Sequence, residues 1–406
     1  MGSVFTIPLQ NHDREYLGQI EYALAFCCED IAHYQISEAD RSVRIECVAG
    51  ARIETVRRKV DELLARYSQP EFGLKSIVHL DQRRQLPPVD AWGGLVERRW
   101  ATPVGEGHVL LRGPAAQLFA MIDRKTQEMF ASEFQAEEEI YPSTIQSETL
   151  HRCNHFTSFP EHMDFVAHLK QDVDVLSEFA NRCRSEGWSA KLHDGNMSRH
   201  EFSISPSCCY HAYEGMEDWK LEKPGRCITA LLDCHRFEGA NHSYMSRLRA
   251  FHMREVIWVG HPAYVTSSRA RADELIQQWA RDWELSCTFE TANDMFFTED
   301  FAVKASFQRQ QQAKRELRLE IPAENRAISV FSSNFHSTTF GRAFAITVAG
   351  KPATSACVGW GLERWVYAVF SQFGLEIERW PARLLREFRQ FTQRATEEKQ
   401  NTGETK

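Results

Sequence analysis

Residues 227–260, CITALLDCHRFEGANHSYMSRLRAFHMREVIWVG, decide the fold. The apolar opening to Cys234 and the apolar close from Phe251 read as two strands, and the Gly-, Asn- and Ser-bearing segment between them reads as a loop holding Gly239, Asn241 and Ser243. Polar chemistry gathers where strand meets loop. His235-Arg236-Phe237-Glu238 ends the first strand, and Arg247, four residues before Phe251, opens the return. On an extended chain Arg236 and Glu238 point to the same face. An ordinary amphipathic hairpin with exposed arginines has the same look, so the flanking chain carries the decision.

Upstream, residues 205–214 (SPSCCYHAYE) concentrate two cysteines, two tyrosines and a histidine. Downstream, residues 359–364 (GWGLER) have the form GxGxxR. Glycines let backbone approach a ligand, and an arginine in the first turn of a following helix stands near its positive end. A glycine pair opening a core helix would look alike. The third glycine of a dinucleotide-binding fingerprint is absent. Around these segments, Pro114 near a first turn with Leu118, Phe119, Ile122, Met129 and Phe130 predicts a long helix leading to Tyr141-Pro142. Residues 158–188 predict a helical pair, 272–283 an amphipathic helix, and 316–321, 327–331 and 344–348 strands. The expected fold class is α/β (α+β): an antiparallel sheet flanked by helices over residues 108–390.

In that order, Pro142, HRFE, RxxxF and GxGxxR resemble motifs 1, 2 and 3 of class II aminoacyl-tRNA synthetases. The resemblance implies an ATP site. Arg236 would grip the α-phosphate and the reacting carboxylate in a bidentate fork. Glu238 would take the adenine amino group, Phe251 would stack on the ring, and Arg247 and Arg364 would hold the distal phosphates. Motif 1 implies a homodimer. SPSCCY, MREVIWVG (253–260) and SACVGWGLERW (355–365) narrow the match to the unusual seryl-tRNA synthetases of methanogenic archaea and their bacterial relatives, the amino acid:[carrier protein] ligases. TSFPEHM (157–163), TANDMFF (291–297) and SSNFHSTTFG (332–341) are more similar to the ligases. By resemblance, Cys209, Glu255 and Cys357 would hold one Zn2+, with the register between Cys208 and Cys209 open, and Asn334 and His336 would line the amino acid pocket. The implied reaction uses ATP with Mg2+ to make an aminoacyl-adenylate, then passes the acyl group to the phosphopantetheine thiol of a carrier protein. Charging of tRNA, or amino acid sensing by a non-catalytic relative, are the alternatives.

The rest of the chain bounds these readings. At 406 residues and 43% hydrophobic it suits two or three globular domains, and its eleven irregularly spaced cysteines do not form a disulfide framework. No secretory leader or membrane-spanning run is visible, so a cytoplasmic protein is expected. Residues 1–100 form a small α/β unit in this reading. Its strand is Val43, Ile45 and Cys47, and its helix carries the stripe Ile53, Val56, Val60, Leu63 and Leu64. That unit holds 13 Lys/Arg against 15 Asp/Glu, and the whole chain carries −8. Such a charge is a poor footprint for a polyanionic partner such as tRNA. Residues 82–107 read as a linker with one short strand and 391–406 as a disordered tail.

Overall fold

The computed structural model describes residues 2–9, 14–37, 41–67, 76–193, 195–239, 242–292, 294 and 312–401. Its centre is an eight-stranded sheet in the order Val78–Asp81, Cys287–Ala292, Lys314–Ile321, Arg326–Ser337, Thr354–Gly361, Ala250–Gly260, Gly225–His235 and Glu137–Glu138. Every pairing is antiparallel except the last. The expected hairpin is therefore two long paired strands of this sheet, next to its two-residue edge strand.

Alternation divides this sheet into two faces. Val256 and Trp258, Val358 and Trp360, Phe331 and Leu317 are buried on one side. There they meet the helices Gly113–Phe134, Pro262–Asp282 and Leu362–Phe373, whose tryptophans continue the packing; Trp279 and Trp365 stack at 5.0 Å. Phe130 meets Trp360 edge-on at 4.8 Å. Removing one such ring, as in Trp360→Ala, would cost about 3–5 kcal/mol. Arg254 is a buried charge on that side. It pairs with Asp123 at 2.7 Å and Glu138 at 2.6 Å, joining the hairpin to the long helix and the parallel edge strand.

The amino-terminal unit has its own core. Val4–Pro8, Ser42–Cys47 and Ile31–Ser37 form a three-stranded sheet, covered by the helices Arg14–Leu24 and Ile53–Tyr67. Ile20, Leu24, Val43, Ile45, Val56 and Val60 are buried together. The helical stripe and the strand alternation of the sequence thus meet in one small core.

Five expectations need correction. The stretch 82–107 is not a linker. It holds the helix Ala91–Glu97, capped by the Asp90 carboxylate accepting from the Gly93 N–H at 2.8 Å, and the strand Ala101–Gly105. With Val78–Asp81 in the large sheet and Ala91 and Leu95 in its core, contacts separate the two units before residue 78 rather than near 100. Residues 165 and 166 are a strand against Phe202 and Ser203, so only Val173–Glu186 of the expected helical pair is a helix. Of 344–348, only Thr347–Val348 is extended. The tail is helical over Ala382–Asn401, because Leu384 and Phe388 anchor its first turns in the main core; residues 402–406 lie outside the described residues. So do Asn241 and most of TANDMFF. No disulfide joins the cysteines, and among the described residues no helix is long and apolar enough to cross a membrane.

Candidate active site

The sheet face opposite the tryptophans is open. Antiparallel register places Glu255 opposite Gly359, Cys357 opposite Asn334, and Ser332 opposite Gly359, so these residues of three neighbouring strands share one surface. Phe251 and Met253 precede Glu255 on the same side. A cavity of about 790 Å3 lies over this surface. A cavity of that size suits a small ligand together with a nucleotide. Arg236, Glu238, Phe251, Glu255, Asn334, His336, Cys209, Cys357 and Arg364 all line it. Gly359 keeps its floor clear: a Cβ there would lie 3.3 Å from Met253 Sδ and 3.4 Å from Glu255 Cγ.

At one end, cations are fastened to backbone. Arg236 Nε donates to the Pro206 carbonyl at 3.0 Å, and its guanidinium carbon lies 5.4 Å from the Phe251 ring centroid. Arg364, in the first turn of Leu362–Phe373, donates to the carbonyls of Ser246 at 2.8 Å and Ser329 at 3.1 Å. Burial, with Arg247 nearby, brings Arg364 down to about 10, which leaves it charged at neutral pH. Glu238 is buried and meets Arg247 Nη1 at 3.4 Å. Arg247 itself stands at the rim, behind Glu238 rather than on the cavity wall. Burial and the Arg236 charge lower His155 to about 3 and push His162 down likewise, so both imidazoles are neutral at neutral pH. Charge stabilisation, rather than proton transfer by histidine, is what this end can supply.

At the other end, Cys209, Glu255 and Cys357 bring their ligand atoms within 4.8 Å of one another, all three buried. Cys209 opens the helix Cys209–Gly215. Cys208 turns away, its thiol 3.8 Å from the Ala230 carbonyl. Glu255 Oε1 accepts from the Cys208 N–H at 3.1 Å and from Ser207 Oγ at 3.3 Å, while Oε2 is buried without a partner. Burial pushes the Glu255 carboxyl up, and the Cys209 thiol beside Cys357, with burial, pushes the Cys357 thiol up. Two thiols and a carboxyl this close are a donor set that a soft borderline cation would hold. The donor set fits a metal ion. Asn334 Nδ2 lies 3.7 Å from Cys357 Sγ, and His336 Nδ1 meets the Tyr213 hydroxyl at 3.1 Å.

A buried charge set on the same wall was not anticipated. Lys314 Nζ meets Asp294 at 2.6 Å and Glu316 at 3.0 Å. Burial alone would lower Lys314, but the two carboxylates outweigh it and raise it; Glu316, which burial would raise, is held low by Lys314 and Arg318. The signal was present in KRELRLEI, where Lys314, Glu316, Arg318 and Glu320 share one face and Leu317, Leu319 and Ile321 share the other. Glu363, beside Arg364, was also missed; it accepts from the His252 N–H and from its ring at 2.7 Å, pinning the helix start to the hairpin.

No family model matches the chain. It is 30% identical over 247 residues to amino acid–[acyl-carrier-protein] ligase 1 of Bradyrhizobium diazoefficiens, covering 60% of this chain and 74% of that protein. To the type-2 serine–tRNA ligase of Methanocaldococcus jannaschii it is 25% identical over 287 residues, 68% of this chain and 54% of the relative. Among solved structures, M. kandleri SerRS in complex with A. aeolicus tRNASec aligns with a TM-score of 0.69 at 18% identity, over 95% of this chain and 77% of that one. The architecture is thus a class II synthetase catalytic sheet, and the match to the Bradyrhizobium protein places this chain in the amino acid–[acyl-carrier-protein] ligase family.

Proposed function

We propose that the protein activates an amino acid with ATP and transfers it to the phosphopantetheine thiol of a carrier protein. The observation that carries this reading is that Arg236 and Arg364 share one cavity with the Cys209, Glu255 and Cys357 set. The first supplies fixed positive charge for a phosphoryl centre, and the second suits recognition of a small polar substrate. In the first step a carboxylate oxygen of the amino acid bonds to the α-phosphorus of ATP and pyrophosphate leaves with the broken bond's electrons. Arg236 orients the carboxylate and α-phosphate, Arg364 and Arg247 hold the distal phosphates, Glu238 accepts from the adenine amino group, and Phe251 takes the ring face. In the second step the carrier thiol loses its proton, its sulfur bonds to the acyl carbon, and AMP leaves. The protein needs no nucleophile of its own.

Cys209, Glu255 and Cys357 would hold Zn2+, which when bound supplies a Lewis-acid position for the substrate's α-amino group. Mg2+ would enter with the ATP phosphates. Asn334 and His336 would flank the amino acid. The reading includes a cytoplasmic homodimer built on the helix Gly113–Phe134.

For the acceptor, charge favours a carrier protein. The chain carries −8, whereas binding a long polyanion draws on many phosphate contacts. A carrier needs only a local docking patch. The helix Val173–Glu186 has no buried residue; it exposes Val173 and Leu176, and Arg182, Arg184 and Lys191 stand on or beside it. The competing reading, tRNA charging, draws on the tRNA-bound SerRS match, which spans 95% of the chain and so takes in its amino-terminal part. ATP–pyrophosphate exchange across an amino acid panel, followed by labelled transfer to a holo-carrier and to total tRNA in parallel, tests both. Exchange with one amino acid and label on the carrier are expected. Label on tRNA at catalytic rates with a bare carrier would overturn the acceptor, and no exchange with any amino acid would leave the sensing role.

A further inference from the structure

We propose that Tyr22, in the amino-terminal unit, is a positioning residue for the nucleotide, acting through Arg247. The inference rests on the functional reading above, in which Arg247 and Glu238 serve ATP. Tyr22 stands near the end of the helix Arg14–Leu24 and is only 5% exposed. Its hydroxyl meets His162 Nε2 at 2.8 Å and Glu161 Oε1 at 3.2 Å, both in the catalytic unit. The Arg247 guanidinium carbon lies 5.2 Å from the Tyr22 ring centroid, and the same guanidinium reaches Glu238 on the cavity wall at 3.4 Å.

The next turn of the amino-terminal unit grips the same loop. Phe26 meets Phe237 edge-on at 6.2 Å. Gly239 has φ +57, and a Cβ there would fall 3.0 Å from the Ala25 carbonyl and 3.1 Å from Phe26 Cε1. Glu238 is therefore bracketed between two residues that the amino-terminal unit touches. Packing alone would be met by any apolar side chain. An aromatic face beside a guanidinium does more, because attraction to the ring quadrupole fixes where the charge sits and which way its fork points. Arg247, on a loop outside the cavity wall, would otherwise choose among many rotamers. The amino-terminal unit thus supplies part of the nucleotide site.

The test uses the full-length chain, with Mg-ATP binding by calorimetry, ATP–pyrophosphate exchange, and thermal melting as a check on folding. Tyr22→Ala should raise KM for ATP about tenfold, the scale of one lost cation–π contact, and leave KM for the amino acid and kcat within about twofold. Tyr22→Phe, which keeps the ring and loses the hydroxyl, should restore most of the ATP affinity. Adding Tyr22→Ala to Arg247→Ala should change KM for ATP no further than Arg247→Ala alone, which a merely structural role would not produce. Tyr22→Leu replaces Tyr22→Ala if the latter fails to fold. An unchanged KM for ATP in the folded variant, or additive effects in the double variant, would overturn the proposal while the functional reading stands. If wild-type protein neither binds ATP nor supports exchange, the functional reading has failed and the proposal falls with it.

Discussion

At one end of the cavity Arg236 and Arg364 are fastened to the carbonyls of Pro206, Ser246 and Ser329, while at the other Cys209, Glu255 and Cys357 face one another with Glu255 Oε2 unpartnered. Burial acts on both ends, with opposite consequences. A guanidinium lowered to about 10 is still a cation at neutral pH, so folding alone completes the arginine end. Burial pushes the Glu255 carboxyl up, and the Cys209 thiol with burial pushes the Cys357 thiol up, so the other end is left to be completed by what binds there. One end is preorganised by the protein. The other is preorganised for a ligand.

The largest expected effect breaks the first end. Arg236→Ala should lower amino-acid-dependent pyrophosphate exchange by at least about a hundredfold, the scale of one lost transition-state donor. Its melting temperature should stay near that of wild type, since the side chain's hydrogen bond is to a single carbonyl. Exchange at the wild-type rate would remove Arg236 from the site.

Substitutions at the other end come next. Metal analysis of wild type should find about one zinc per chain. Cys357→Ser and Cys209→Ser should lose the metal and slow activation by more than about tenfold, whereas Cys208→Ser should keep both. Metal retained in Cys357→Ser, or lost in Cys208→Ser, would reverse the assignment of the ligands. A smaller effect is expected of Asn334→Ala, whose amide reaches Cys357 Sγ: KM for the amino acid should rise by about threefold to tenfold, with KM for ATP unchanged, as for one lost neutral hydrogen bond.

Glu161 allows the burial half of the comparison to be measured apart from any metal. Burial raises it from 4.5 to about 7, and its Oε2 is buried without a partner. A carboxyl whose folded value lies above its unfolded one adds stability that is full below about 4.5 and is lost as pH rises through about 7. Glu161→Gln cannot ionise. It should therefore gain on wild type at pH 8 and not at pH 4, by roughly 1–3 kcal/mol in urea melts. An equal difference at both pH values would show that Glu161 does not titrate with folding.

That residues of the arginine end would come together was legible because they are close in sequence. Arg236, Glu238, Arg247 and Phe251 fall within sixteen residues of one hairpin, and alternation alone sends Trp258 and Glu255 to different faces. The misreadings share a cause, which is long-range packing overruling local composition. Gly93-Gly94 looked like loop punctuation, yet Gly94 sits in a helix where a Cβ would come within 2.9 Å of Leu375 Cδ1. Phe165 and Val166 are too short an apolar pair to declare a period, and the strand Phe202–Ile204 makes them extended. The polar tail is drawn into a helix by Leu384 and Phe388, which come before it.

By itself the sequence determined the hairpin strands, the apolar face of the sheet and the core of the amino-terminal unit, because each is written in a period of two or of 3.6 residues; the motif arginines it offered only by resemblance. Tertiary structure alone decided that Cys209 rather than Cys208 faces Glu255 and Cys357, and that Tyr22 reaches Arg247. Neighbouring residues at a helix start point about 100° apart, and which of them faces a distant strand depends on how that helix is rotated against the sheet. That rotation is set by packing between segments far apart in the chain, which no local pattern records.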